Sequence, residues 1–249
     1  MYVEQFGFTD EHIPELIRLA IDPDLNTLDS DRPEVWAPLH AWYTLGQLQA
    51  EVAIAPLIGL FVTDDEFVYD NMPTVFGLIG GAAIPALARY LNDATQAVWP
   101  LTTAADCLRE IAANHPAHRE AAIAPLLQRL EQYANNDPNL NSTLVQNLTS
   151  LKAVEAAPLI ERAFATEEID ELLTGTWAQV QIDLGLKTKQ DFSPEDLKPK
   201  IPAGFAEMQE TIGNISKMLH VMERRTSKPA GFGQPSIAKA KKPKQKKKK

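Results

Sequence analysis

Apolar residues recur along most of this chain at helical spacing, i, i+3, i+4 and i+7. Short polar stretches carrying proline or glycine separate them, and β-branched runs are few. That pattern predicts an all-α protein. One phrase stands out. Ala53-Ile54-Ala55-Pro56-Leu57-Ile58 returns as Ala83-Ile84-Pro85-Ala86-Leu87, as Ala122-Ile123-Ala124-Pro125-Leu126-Leu127 and as Glu155-Ala156-Ala157-Pro158-Leu159-Ile160. A weaker copy is Ile13-Pro14-Glu15-Leu16-Ile17. The leucines fall at 16, 57, 87, 126 and 159, in steps of 41, 30, 39 and 33 residues. Self-similarity at such a period predicts stacked helical units, each burying its apolar face on its neighbours.

The spacing predicts four helix pairs. Their first (A) helices run over about 33–48, 64–79, 98–114 and 138–151. Their second (B) helices run over about 50–62, 82–91, 117–134 and 154–165. A helix over 11–21, capped by Thr9 or Asp10, reads as an orphan B helix closing the N-terminal end, and residues 22–33 read as a loop. Residues 175–184 read as a closing helix at the other end. Each B helix carries a proline near its start, where the first-turn N–H groups have no intrahelical partner in any case. Gly46 and Gly77 lie at matching places late in two A helices, where a missing side chain lets helices approach.

Charge divides the chain. Residues 1–186 hold 27 Asp/Glu against 8 Lys/Arg, a net of −19, whereas residues 224–249 hold 11 Lys/Arg and no acid. Three divisions follow: a helical body over 1–186, a linker with an amphipathic helix over 187–225, and a disordered basic tail over 226–249. The amphipathic stretch carries Phe205, Met208, Ile212, Ile215 and Leu219. Cys107 is the only cysteine, so an intramolecular disulfide and a cysteine-based zinc site are both excluded. No apolar run approaches the ~18 residues of a membrane span, and no signal-peptide pattern opens the chain. A cytoplasmic location with no membrane partner is the expectation.

The units resemble HEAT-like repeats of the armadillo type, carried by the 36–64 segment and by Leu151-Lys152-Ala153-Val154-Glu155-Ala156-Ala157-Pro158-Leu159-Ile160-Glu161-Arg162. They are similar to a group of bacterial HEAT-repeat proteins and, more distantly, to phycobilisome-lyase-type repeats. The resemblance covers about residues 33–186. It implies a right-handed α-α superhelix of about four helix pairs with terminal caps. Some members of that group end in a cysteine-rich zinc motif. This chain has lysines there, so no zinc role carries over. One architecture hosts many activities, so the resemblance leaves function open.

Candidate chemistry is sparse. Asp22-Pro23-Asp24-Leu25-Asn26 begins like a calcium loop, but the required Gly and Glu places hold Thr27 and Pro33. Together with Asp137-Pro138, it reads as an Asp N-cap followed by Pro at N1. His115 and His118 lack a third ligand. No catalytic residue, cofactor or metal is expected. Trp36, His40, Trp42 and Tyr43 cluster on one stretch, with Trp99 and Trp177 further on, and both hot-spot and packing roles are open to them. Asp64, Asp65 and Glu66, with Asp70 and Asn71, suit a cation or a basic peptide, or simply a solvated first helical turn. The candidate interaction surface is therefore Trp36, His40, Tyr43, Asp64, Asp65, Glu66, Trp99 and Trp177. Lys241, Lys242, Lys244, Lys246, Lys247, Lys248 and Lys249 form a separate basic run. It is suited to a weak nucleic-acid contact or to solubility alone.

Three functions follow as expectations. The first is a non-catalytic protein-binding scaffold whose acidic surface takes a basic partner. The second, implied by the repeat resemblance, is a bilin-lyase-like enzyme subunit. The third is an RNA- or ribosome-associated protein acting through the lysine tail.

Overall fold

The computed structural model describes residues 2–26, 28, 31–63, 65–166 and 168–200. The expected amphipathic helix and lysine tail lie outside these residues, as do Asp64 and Glu167. Met1–Lys200 cluster as one compact unit, and the described residues contain helices and no strand.

The chain opens with α1 (Tyr2–Phe6), α2 (Ile13–Ala20) and α3 (Pro23–Asn26). The A helices are α4 (Ala37–Gln47), α6 (Glu66–Ile79), α8 (Val98–Asn114) and α10 (Pro138–Ser150). The B helices are α5 (Ile54–Ile58), α7 (Ile84–Leu91), α9 (Arg119–Leu130) and α11 (Ala157–Phe164). Two helices close the unit, α12 (Glu171–Thr174) and α13 (Trp177–Asp183). The A helices pack side by side in chain order, with α2 against α4 at one end and α12 and α13 against α10 at the other. The B helices form a second row, α5 to α7 to α9 to α11, and α7 and α9 both press on α8.

The repeated phrase is the seam of this packing. Leu57, Leu87 and Leu126 are fully buried, and so are Ala53, Ala83 and Ala122, four residues before them. Spacing of i and i+4 puts both on one helix face, which is the face turned to the core. One continuous apolar cluster then runs from Leu16 to Leu184.

α2 and the four B helices each begin with a one-turn 3-10 segment that the phrase alone did not indicate: Asp10–His12, Glu51–Ala53, Gly81–Ala83, Pro116–His118 and Val154–Ala156. In each, a backbone N–H reaches back three residues. The bonds are His12 N to Thr9 O, Ala53 N to Ala50 O, Ala83 N to Gly80 O, His118 N to His115 O and Ala156 N to Ala153 O, at 2.8–3.1 Å. These bonds satisfy N–H groups that a helix start leaves over. The repeat leucine follows the accepting residue by seven positions in three units and by six in the last. In the third unit the interval is eleven, because α9 is one turn longer. The expectation of a proline near every B-helix start is therefore corrected there: Pro125 lies inside α9 and is buried.

Other local readings are refined. Residues 22–33 are not all loop, since Asp22 Oδ1 accepts from Asp24 N and starts α3. Trp36 ends a 3-10 turn (Pro33–Trp36) just before α4. The Asp-Pro cap is observed at α10, where Asp137 Oδ1 accepts from Asn139 N at 2.8 Å and Pro138 takes N1. The two A-helix glycines mark close approaches. A Cβ on Gly46 would meet Leu78 Cβ of α6 at 3.1 Å, and one on Gly77 would meet Glu110 Cβ of α8 at 3.0 Å.

Candidate functional site

The predicted surface residues separate into three places, two on the A-helix row and one on the closing helices. At the first, Tyr43 of α4 donates its hydroxyl to Asn71 Oδ1 of α6 at 3.0 Å. Trp36 sets its ring edge-on to Phe67, 5.7 Å between centroids, and Phe67 also meets Trp42. Trp42 belongs to the core, fully buried with its Nε1 donating to Ala20 O at 2.8 Å, whereas Trp36 remains 44% exposed. His40 is exposed and shares a hydrogen bond with the Tyr2 hydroxyl at 3.0 Å. It borders an apolar cavity of about 340 Å³ among α1, α2 and α4.

At the second place, α6 and α8 frame an open cleft of about 520 Å³ lined by Glu66, Tyr69, Asp70 and Trp99. Asp65 is the N-cap of α6, its Oδ1 accepting from Phe67 N at 2.8 Å, so its carboxylate is engaged in starting the helix. That cap leaves Glu66 in the first turn and Asp70 one turn on, on the same face. Neither makes an ion pair among the described residues. Trp99 stands in the first turn of α8 and is 58% exposed, a large apolar surface for a side chain beside two carboxylates. Tyr69 is the member of this group that pattern reasoning missed. It falls between the two acids on α6, and only the packing of α8 shows that it borders a cleft.

Trp177 lies at the third place. It packs against Phe164 of α11 at 5.9 Å and lines a groove with Glu171, Phe192 and Lys200, on the closing helices rather than beside Trp99. The eight candidate residues therefore do not form one site. Glu66 and Trp99 are brought together, Trp36 and Tyr43 each touch α6 at Phe67 and Asn71, Trp177 stands apart, and Asp64 lies outside the described residues.

The shifted ionisations lie elsewhere. Asp93 is held down to about 2, first by Gln96 Nε2, then by the Thr95 hydroxyl and backbone N–H. It closes a turn after α7, and its low value reflects that turn rather than a reaction. Nearby, burial pushes the Tyr90 hydroxyl up and the Arg129 guanidinium down. Cys107 is buried, and burial pushes its thiol well above its ordinary value, so it is no nucleophile at neutral pH.

Asp106, half-buried on α8, is the carboxylate that burial raises. Asn147 of α10 opposes the rise, although its Nδ2 makes no hydrogen bond of ordinary geometry. A raised folded-state value means that the proton-linked stability is present below the ordinary 3.8 and is lost as pH climbs through the folded value. At pH 7 the buried charge is therefore a net cost. Asp106→Asn is expected to raise the urea midpoint at pH 7, with the gap to the unmodified chain closing below about pH 4. A lower midpoint at pH 7 would contradict this account.

Among the described residues, no group of three or more His, Cys, Asp or Glu is placed to hold a metal ion. No single helix there is long and apolar enough to cross a membrane. No protein-family model, curated protein or solved structure matches this chain.

Proposed function

We propose that this chain is a HEAT-like α-solenoid that binds, without catalysis, a basic segment of a protein partner along its A-helix row. One observation carries the reading: on a body of net charge −19, two carboxylates that make no ion pair among the described residues share an open cleft with an exposed tryptophan. The neighbour-to-neighbour packing of helix pairs supports the solenoid part, since such stacks display long continuous surfaces. An acidic field draws a basic partner and speeds encounter, and an aromatic residue supplies the anchor that screened charge alone lacks.

The test is direct binding of the full chain to a 20-residue Arg/Lys-rich peptide and to a Glu-rich control, at low and moderate salt. The basic peptide should bind, and its affinity should fall as salt rises. The acidic control should not bind. Equal affinity for both peptides, or for neither, removes the reading.

The lysine run favours a second contact. Seven lysines between Lys241 and Lys249 neutralise phosphates without sequence preference. Replacing these seven with Gln should abolish RNA retention at low salt and leave peptide binding intact. RNA retention that survives the change assigns it to another part of the chain.

A further inference from the structure

The geometry points to a more specific occupant of the α6–α8 cleft: a single arginine side chain of the partner, its guanidinium lying on the Trp99 indole and forking to Glu66 and Asp70. This rests on the basic-partner reading and narrows it from a charged surface to one residue type.

Three features select arginine. The first is the pairing of a tryptophan, 58% exposed, with two carboxylates in one cleft. A cation over an indole face is attracted by the ring quadrupole, and tryptophan is the strongest of the aromatic partners. The second is the spacing of the acids. Glu66 and Asp70 are one helical turn apart, about 6 Å between Cβ atoms, so they present acceptors at two heights on one wall. A planar guanidinium with five donors reaches both while remaining stacked. A lysine ammonium is a compact, strongly hydrated point charge and satisfies one of these demands at a time. The third is size. About 520 Å³ lies within the range of ligand-binding clefts, with room for an arginine and its flanking backbone. The competing use of these acids is already met by Asp65, which caps α6 and leaves Glu66 and Asp70 without a capping role.

The experiment uses the full chain and end-blocked pentapeptides Gly-Gly-X-Gly-Gly in which X is arginine, lysine or citrulline. The readout is the set of indole N–H signals, with Trp99 assigned by Trp99→Phe. The arginine peptide should move the Trp99 signal saturably and leave the Trp42 and Trp177 signals in place. The lysine peptide should bind about threefold or more weakly. Citrulline, which keeps the shape and loses the charge, should give no saturable shift. Glu66→Gln with Asp70→Asn should weaken the arginine peptide about fivefold, as loss of exposed ion pairs does. Equal affinity for lysine and arginine, or a still Trp99 signal, overturns the inference. A long basic peptide that binds while Trp99 stays still overturns it and leaves the wider reading standing. Arginine-peptide binding at Trp99 without any binding of the long peptide does the reverse.

Discussion

Leu57→Ala, Leu87→Ala and Leu126→Ala are each expected to destabilise the chain by about 2–5 kcal/mol, the range for truncating a fully buried leucine. All three are at 0% exposure. They occupy the same place in successive units, on the B-helix face that meets the core. Each truncation removes apolar contact and leaves a cavity that the surrounding helices fill only in part. In the stacked arrangement proposed above, the loss should weaken both interfaces that the unit makes, because neighbours would supply most of the burial. Leu87 and Leu126 sit where α7 and α9 press on α8. Leu16 and Leu159, at 6% and 8% exposure near the ends, should cost less than the central three. Urea unfolding followed by circular dichroism gives the midpoints and slopes. Midpoints unchanged for the central leucines would show that the phrase does not mark the seam between units.

Much of this fold was legible because one apolar face repeats. A helix that buries Ala53, Ile54 and Leu57 must show them at i, i+1 and i+4, and three further copies at similar spacing fix where the B helices lie. α8 was predicted over 98–114 and is observed over Val98–Asn114. The short elements escaped. α1, α3 and α12 span four or five residues, too few for a helical period to appear. The 3-10 lead-ins escaped because their bonds run backbone to backbone and make no demand on side-chain type. Pro125 was misplaced because α9 gains one turn before it, and a four-residue insertion nearly preserves the helical face.

The candidate site was legible by parts only. Clustered aromatics say nothing about which of them enters the core. Trp42 and Trp36 are six residues apart, yet one is fully buried with its N–H bonded to Ala20 O and the other is 44% exposed. Asp64, Asp65 and Glu66 looked equivalent in sequence, whereas Asp65 is committed to the cap of α6. That Trp99 borders the same cleft as Glu66 and Asp70 depends on how α8 lies against α6, and that closeness depends on Gly77.

Gly80→Ala should destabilise strongly, by about 2–4 kcal/mol, although it adds one methyl group. Gly80 ends α6 with φ +88 and ψ −155, a region that residues with a Cβ occupy only under strain of about 1–3 kcal/mol. The added Cβ would also come 3.1 Å from His115 Cε1 and Nε2. That ring is not free to yield, since its Nε2–H donates to Gly77 O at 2.8 Å and so ties the third unit to the second. Displacing it forfeits a hydrogen bond worth about 0.5–1.5 kcal/mol. The two contributions separate in a His115→Ala background, where the clash is gone and the backbone strain remains, so Gly80→Ala should cost less there. Gly59 supplies the contrast. Its φ of −59 and ψ of −20 suit any residue, and a Cβ there meets nothing within 4 Å. Gly59→Ala should therefore stabilise by about 0.4–1 kcal/mol, by narrowing the unfolded ensemble. Denaturant midpoints for the two single variants should move in opposite directions. A Gly80→Ala midpoint that does not fall would mean that the junction between α6 and α7 does not hold Gly80 in this conformation, and a Gly59→Ala midpoint that falls would contradict the account of Gly59.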